Sequence, residues 1–192
     1  MEEIVYPGHI EVVCGPMFAG KSEELIRRIK RLSFAKKKVL VFKPKVDVRY
    51  EEEYIVSHSR QKSPAIRIEK ANEILDYLIS DIYAICIDEV QFLDDGIIDI
   101  CNVLASLGKR VIVGGLDMDF AGRPFPIVAK LLGCAESVTK LSAVCVVCGA
   151  PATFTQRLVN GKPAAPNDPV ILIGASESYE PRCRHCHEIT EK

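Results

Sequence analysis

The segment Gly15-Pro16-Met17-Phe18-Ala19-Gly20-Lys21-Ser22 satisfies the pattern G-x-x-x-x-G-K-[ST], and no other stretch limits the possible folds of this chain so strongly. An apolar run, Ile10–Cys14, leads directly into it. A segment of helical period follows it, with Leu25, Ile26, Ile29 and Leu32 at i, i+1, i+4 and i+7. Strand, glycine loop and helix in that order form a phosphate cradle, because the glycines permit a tight turn and the helix start aims N–H groups and a positive dipole end at an anion. Lys21 adds a mobile positive charge for the β- and γ-phosphates, and the Ser22 hydroxyl is of the type that ligates Mg2+. All eight loop residues are therefore read as ATP-binding.

Short apolar runs recur at Val39–Phe42, Ala84–Ile87 and Val111–Val113, and Ile97, Ile98, Cys101, Leu104 and Ala105 repeat the helical rule. This alternation predicts an α/β fold with a mostly parallel sheet covered by helices. Arg27, Arg28, Lys30 and Arg31 fall outside the apolar stripe of the first helix, and Lys36-Lys37-Lys38 follows it, which predicts a solvated face. Residues 44–64 are polar and charged with no clear core face, and a connection of that length suggests a functional loop. Past Leu141 the chain changes to short β-like pieces, Ala152–Leu158 and Val170–Ile173, broken by Asn160-Gly161 and the stretch Pro163–Pro169. The predicted division is a P-loop α/β domain over 1–142 and a small appended domain over 143–192.

A phosphate loop needs a second Mg2+ partner at the end of another buried strand. Ile85-Cys86-Ile87-Asp88-Glu89 supplies one, since an apolar run that ends in Asp88 puts a carboxylate at the carboxyl edge of the sheet. Glu89 is placed to act as a general base toward the nucleophile that attacks the γ-phosphate. Water and a substrate hydroxyl are both compatible with these two motifs, so ATPase and kinase stay open at this point.

Of the eight cysteines, Cys14, Cys86, Cys101 and Cys134 sit in apolar surroundings and read as small core residues. Cys145, Cys148, Cys183 and Cys186 form two C-x-x-C pairs around residues 149–182, a pattern suited to one tetrahedral Zn2+, with redox disulfides as the competing reading. Four thiolates close the coordination sphere, so such an ion staples the base of a long excursion and does no chemistry. His185 offers a substitute ligand or a solvated turn residue, and His187 flanks Cys186. With Lys+Arg 25 and Asp+Glu 26 the net charge is −1, far from the basic balance of a dedicated nucleic-acid binder. No apolar run reaches membrane-spanning length, and Met1-Glu2-Glu3 is acidic where a secretory signal is basic, so a soluble intracellular protein is expected.

Taken together, these residues resemble the type II thymidine kinases, the cellular and bacterial group. The resemblance runs from about Gly8 to Cys186 and is carried by the phosphate loop, Ile87-Asp88-Glu89-Val90-Gln91-Phe92, Gly115-Leu116-Asp117-Met118-Asp119-Phe120, Gly122-Arg123-Pro124-Phe125 and both cysteine pairs. It implies a RecA-like P-loop core and a small zinc-ribbon-like domain carrying a lasso loop. The implied reaction is ATP-dependent transfer of the γ-phosphate to the thymidine 5′-hydroxyl, giving dTMP. Glu89 then takes the hydroxyl proton, Asp88 and Ser22 are the Mg2+ partners, and Asp88 and Gln91 join the ATP site. Met17, Phe92, Leu116, Phe120 and Phe125 resemble the lining around thymine and deoxyribose, although aromatic residues such as Phe120 and Phe125 more often only pack. Thr155, Val170, Ile171, Leu172, Ile173, Gly174 and Tyr179 match lasso positions, and Arg49 matches a flexible loop near the phosphates. Ala19 departs from a frequent Ser, with little expected loss because contacts there come from backbone N–H groups. A homotetramer, a cytoplasmic location, dTTP as feedback inhibitor and no nucleic-acid or membrane partner are further implications. The chain stops at Lys192 without the extended tail of animal members, which favours a bacterial-type member. A zinc-containing P-loop ATPase acting with nucleic acid and a zinc-binding module that holds a partner are the rival readings.

Overall fold

Strands buried on both faces should read as unbroken apolar runs, and the runs seen in the sequence do form one parallel sheet. The computed structural model describes residues 8–46, 54–56, 62–170 and 177–190. In chain order the elements are β1 (His9–Cys14), α1 (Lys21–Phe34), β2 (Lys38–Pro44), β3 (Tyr54–Val56), β4 (Lys62–Pro64), β5 (Ile66–Ile68), β6 (Ile82–Ile87), α2 (Ile97–Ser106), β7 (Arg110–Gly115) and α3 (Pro126–Cys134). They continue with β8 (Ser137–Lys140), β9 (Ala143–Val144), β10 (Pro151–Ala152), β11 (Phe154–Val159), β12 (Lys162–Pro163) and β13 (Glu177–Arg182). The central sheet has the order β5-β2-β6-β7-β1-β8, and every neighbouring pair in it is parallel.

Side chains alternate across this sheet with period two. Ile10, Val12 and Cys14 join Ile85, Ile87, Val111 and Val113 in the larger core cluster, which also takes Ile97, Cys101 and Leu104 of α2 and Val128 and Leu131 of α3. Val13, Val41, Ala84, Cys86 and Ile112 face the other way, against Leu25, Ile26, Ile29 and Leu32 of α1. Cys14, Cys86 and Cys101 are fully buried as expected, while Cys134 is only half-buried at the end of α3. Among the described residues no helix is long and apolar enough to cross a membrane.

Glu11 is a polar exception on the face that meets α1, and it is 5% exposed. It accepts from Arg28 Nη1 at 2.5 Å, Arg110 Nε at 2.5 Å, Arg110 Nη2 at 3.1 Å and His9 Nε2 at 2.8 Å. Burial opposes its ionisation, but the Arg110 and His9 hydrogen bonds and the two guanidinium charges hold it below the ordinary carboxylate value. Arg28 also donates to Glu24 at 2.8 Å and to Thr139 at 2.9 Å. The predicted solvated face of α1 is therefore corrected at Arg28, which turns inward because a buried carboxylate needs a cation.

Several further elements depart from the sequence expectation or went unannounced by it. Residues 44–64 do reach the core: β3 and β4 pair antiparallel, and Ile55 packs against α1. The helix α3 carries too few turns to show a period, with Pro126 starting it, and β8 is an edge strand of mixed polarity, Ser137-Val138-Thr139-Lys140. The expected strand Ala152–Leu158 is interrupted at Thr153 into β10 and β11, and Val170 lies in a bend. Past β8, β9 pairs with β10, and β11 pairs antiparallel with both β12 and β13.

Candidate active site

Parallel order places the loops after β1, β6, β7 and β8 at one carboxyl edge, where ligands of open α/β sheets bind. The loop after β1 needs its first glycine: Gly15 has φ +144°, and a Cβ there would lie 2.5 Å from the Leu141 carbonyl oxygen. Gly20 is the N-cap of α1 at φ +81°, and Phe18 adopts a left-handed backbone at φ +67° between them. Lys21 opens α1 with its ammonium folded back across the loop, donating to the Pro16 carbonyl at 2.7 Å.

Asp88 ends the run of β6 and is buried, and the Ser22 hydroxyl donates to its Oδ2 at 3.0 Å. Burial first, and the adjacent Glu89 carboxylate second, push Asp88 up to about 7 against the hydrogen bonds from Ser22 and the Glu89 N–H and the charge of Lys21. A hydroxyl and a costly buried carboxylate converging beside a phosphate loop fit a divalent cation as their third partner. Between the strands carrying the loop and Asp88 lies β7, which ends in Gly114-Gly115 and so sends no side chain between them. Glu89 follows with φ 50° and ψ 40°, a left-handed conformation uncommon for a residue with a side chain. Its carboxylate Oε2 accepts from Gln91 Nε2 at 2.5 Å, and Gln91 Oε1 accepts from the Leu116 N–H at 3.1 Å.

Leu116 opens a tight loop after β7. The Asp119 carboxylate accepts from the Ala121 and Arg123 N–H groups and from Arg123 Nε, each at 2.9 Å, and the Phe125 N–H donates to the Asp117 carbonyl at 3.0 Å. Leu116 and Phe120 are buried, Met17 and Phe92 are half-buried, and Phe125 packs against the larger core cluster. Asp117 is buried with Oδ2 2.9 Å from Lys140 Nζ, an ion pair beneath the phosphate loop that sequence reading missed.

The segment 143–190 reaches back to both loops. Thr155 Oγ1 on β11 accepts from the Met17 N–H at 3.0 Å, so the expected lasso position touches the phosphate loop directly. Arg157, two residues on, is fully buried, stacks over the Phe120 ring at 5.0 Å and donates from Nη1 to the Pro169 carbonyl at 2.5 Å. Tyr179 pairs with Arg157 across β11 and β13. His187 stacks on Phe154 at 4.8 Å and its Nε2 lies 2.8 Å from the Phe120 carbonyl oxygen, while Gln156 exchanges two 2.8 Å hydrogen bonds with the Glu188 backbone. Sequence reading missed Gln156, Arg157 and the packing of His187, since no local pattern reports partners 32 or 67 residues away. Arg49, Ile171, Leu172, Ile173 and Gly174 lie outside the described residues.

Cys145, Cys148, Cys183 and Cys186 come together with all four sulfur atoms within 4.8 Å of one another, and Cys148 Sγ is 3.6 Å from Cys183 Sγ. Zinc–sulfur bonds of about 2.3 Å in a tetrahedron put sulfurs about 3.8 Å apart, so the cluster fits that ion. Burial disfavours the Cys145 thiolate, but backbone groups of Cys183, Cys148 and Val147 pull its pKa down to about 6. His185 is exposed and outside this cluster, so the four cysteines alone could hold a structural zinc.

Among solved structures, the chain is similar to the RuvB Holliday junction branch migration motor of Thermotoga maritima, at 15% identity and TM-score 0.43 over 72% of this chain and 39% of that one. A DNA replication initiation factor matches at 14% identity and TM-score 0.40 over 70% of this chain and 40% of that one. The chain thus spans about two fifths of the length of either protein. A family model described as thymidine kinase matches residues 8–187. With the phosphate loop, the Asp88–Glu89 strand end and the four-cysteine cluster all inside that range, the chain belongs to the thymidine kinase family.

Proposed function

We propose that this nucleoside kinase transfers the γ-phosphate of ATP to the 5′-hydroxyl of thymidine, giving dTMP and ADP. The observation that carries the proposal is the convergence of Lys21, Ser22 and Asp88 with Glu89 at one sheet edge, beside an apolar loop that begins at Leu116. Ser22 and Asp88 would hold Mg2+, which when bound neutralises charge on the β- and γ-phosphate oxygens. Lys21, now on the Pro16 carbonyl, would turn its ammonium to the phosphates seated in the loop. Glu89 takes the proton of the attacking hydroxyl while that oxygen bonds to the γ-phosphorus, and the bond from phosphorus to the ADP oxygen breaks. Leu116, Phe120 and Thr155 hold the nucleoside and help exclude water, so the hydroxyl and not solvent attacks. Family resemblance adds a homotetramer, a cytoplasmic location and inhibition by dTTP.

The test is steady-state phosphorylation with Mg-ATP and thymidine, deoxycytidine or no nucleoside. Transfer to thymidine alone is the expected result. Hydrolysis without transfer to any nucleoside, in folded protein with zinc bound, would replace the kinase reading with that of an ATPase.

A further inference from the structure

Glu89 holds a left-handed backbone that persists only where its surroundings over-determine it. Three contacts do so: the Glu89 N–H donates to Asp88 Oδ1 at 2.9 Å, its carbonyl accepts from the Phe92 N–H at 3.1 Å, and its carboxylate accepts from Gln91. Of these three, the Gln91 bond is the one made to the carboxylate.

Gln91 is buried at 7% exposed, and its amide orientation is fixed by chemistry. The Leu116 N–H can only donate, so the amide oxygen must face it and the NH2 group must face Glu89. Gly115 makes room for this arrangement, since a Cβ there would lie 2.7 Å from Gln91 Oε1 and 2.9 Å from Val90 Cγ1. The Gln91 amide therefore bridges two loops, through Glu89 on one side and Leu116 on the other.

We infer that Gln91 is a positioning residue for phosphoryl transfer: it fixes the Glu89 carboxylate and locks it to the loop starting at Leu116, so that the base and the nucleoside wall form one hydrogen-bonded unit. The inference rests on Glu89 being the base. It assigns Gln91 a role in turnover rather than in holding either substrate.

The experiment measures kcat and KM for thymidine and for ATP in Gln91→Met and Gln91→Glu, each alone and combined with Glu89→Gln. Methionine keeps the length and removes both amide ends, whereas glutamate keeps an acceptor for Leu116 and sets an anion against Glu89. Gln91→Met is expected to lower kcat by about tenfold to a hundredfold, with both KM values within about threefold, and Gln91→Glu at least as much. In the Glu89→Gln background either substitution should change kcat by less than about twofold, because its effect travels through Glu89. An unchanged kcat in folded Gln91→Met, or an equal loss in both backgrounds, overturns the positioning role. If Gln91→Met does not fold, Gln91→Glu decides by the same criteria. Glu89→Gln with wild-type kcat would instead sink the base reading, while an inactive Glu89→Gln beside fully active Gln91 variants would leave the base in place and remove only Gln91.

Discussion

Replacing Glu11 removes a carboxylate from a nearly closed cage of cations at the end of the sheet away from the phosphate loop. Glu11→Ala deletes four hydrogen bonds and leaves Arg28 and Arg110 facing each other, with side-chain exposures of 11% and 28%. Breaking a buried ion pair by removing one partner costs about 3–5 kcal/mol. Arg28 keeps Glu24 and Thr139, and Arg110 keeps part of its hydration, so the lower end applies, about 3 kcal/mol. Glu11→Gln should cost about 2 kcal/mol, because one amide oxygen remains to accept while the NH2 group meets a guanidinium. The assay is urea unfolding at pH 7, where a loss of 3 kcal/mol moves the midpoint down by about 1–2 M. The folded pKa of Glu11 lies below its ordinary 4.5, so its contribution is complete above pH 4.5 and disappears as pH falls below that through the folded value. The stability gap between wild type and Glu11→Gln should narrow over that acid range, with kcat at pH 7 unchanged. A loss under about 1 kcal/mol for Glu11→Ala, or a gap that widens in acid, would refute the cage argument.

Three other outcomes are expected. If the four cysteines hold zinc, chelation, or Cys183→Ser, should release the segment between the cysteine pairs and raise KM for thymidine by about tenfold; an unchanged KM in protein shown to be metal-free speaks against the staple. Gly115→Ala should press on Gln91 and Val90, costing about 1–3 kcal/mol in thermal unfolding and lowering kcat, and a variant with normal kcat would show that Gln91 tolerates displacement. Thr155→Val takes away the acceptor of the Met17 N–H, so KM should rise for ATP as well as for thymidine, and a change confined to thymidine would argue that the hydroxyl serves the nucleoside alone.

Contacts between near neighbours in sequence were legible, and contacts made by distant polar residues were not. The phosphate loop packs its chemistry into eight consecutive residues, and β1, β2, β6 and β7 announce themselves because parallel strands buried on both faces admit little but apolar side chains. The four-cysteine cluster was legible because C-x-x-C spacing reflects a local turn even when the two pairs lie far apart. Arg28 looked like a solvated helix residue because its partner sits on another element, 17 residues earlier. Strand β11 carries Gln156 and Arg157 fully inside, a placement no hydropathy pattern suggests, since each takes hydrogen-bond partners that only the fold delivers. Gln91 was visible as part of a motif, but its two partners became evident only once β7 lay beside β6.

The strand order also sets a timetable for synthesis. The strand that leads into the phosphate loop is made early, yet its two neighbours in the sheet come much later: Glu11 meets Arg110 99 residues on, and Arg28 meets Thr139 111 residues on. At about 5–20 residues per second a ribosome takes roughly 5–20 s to supply them. During that interval Val12 and Val13, buried in the finished fold, have neither neighbouring strand to pair with. In the folded chain the Leu141 N–H donates to the Cys14 carbonyl, so the base of the phosphate loop is tied to residues made well over a hundred positions later.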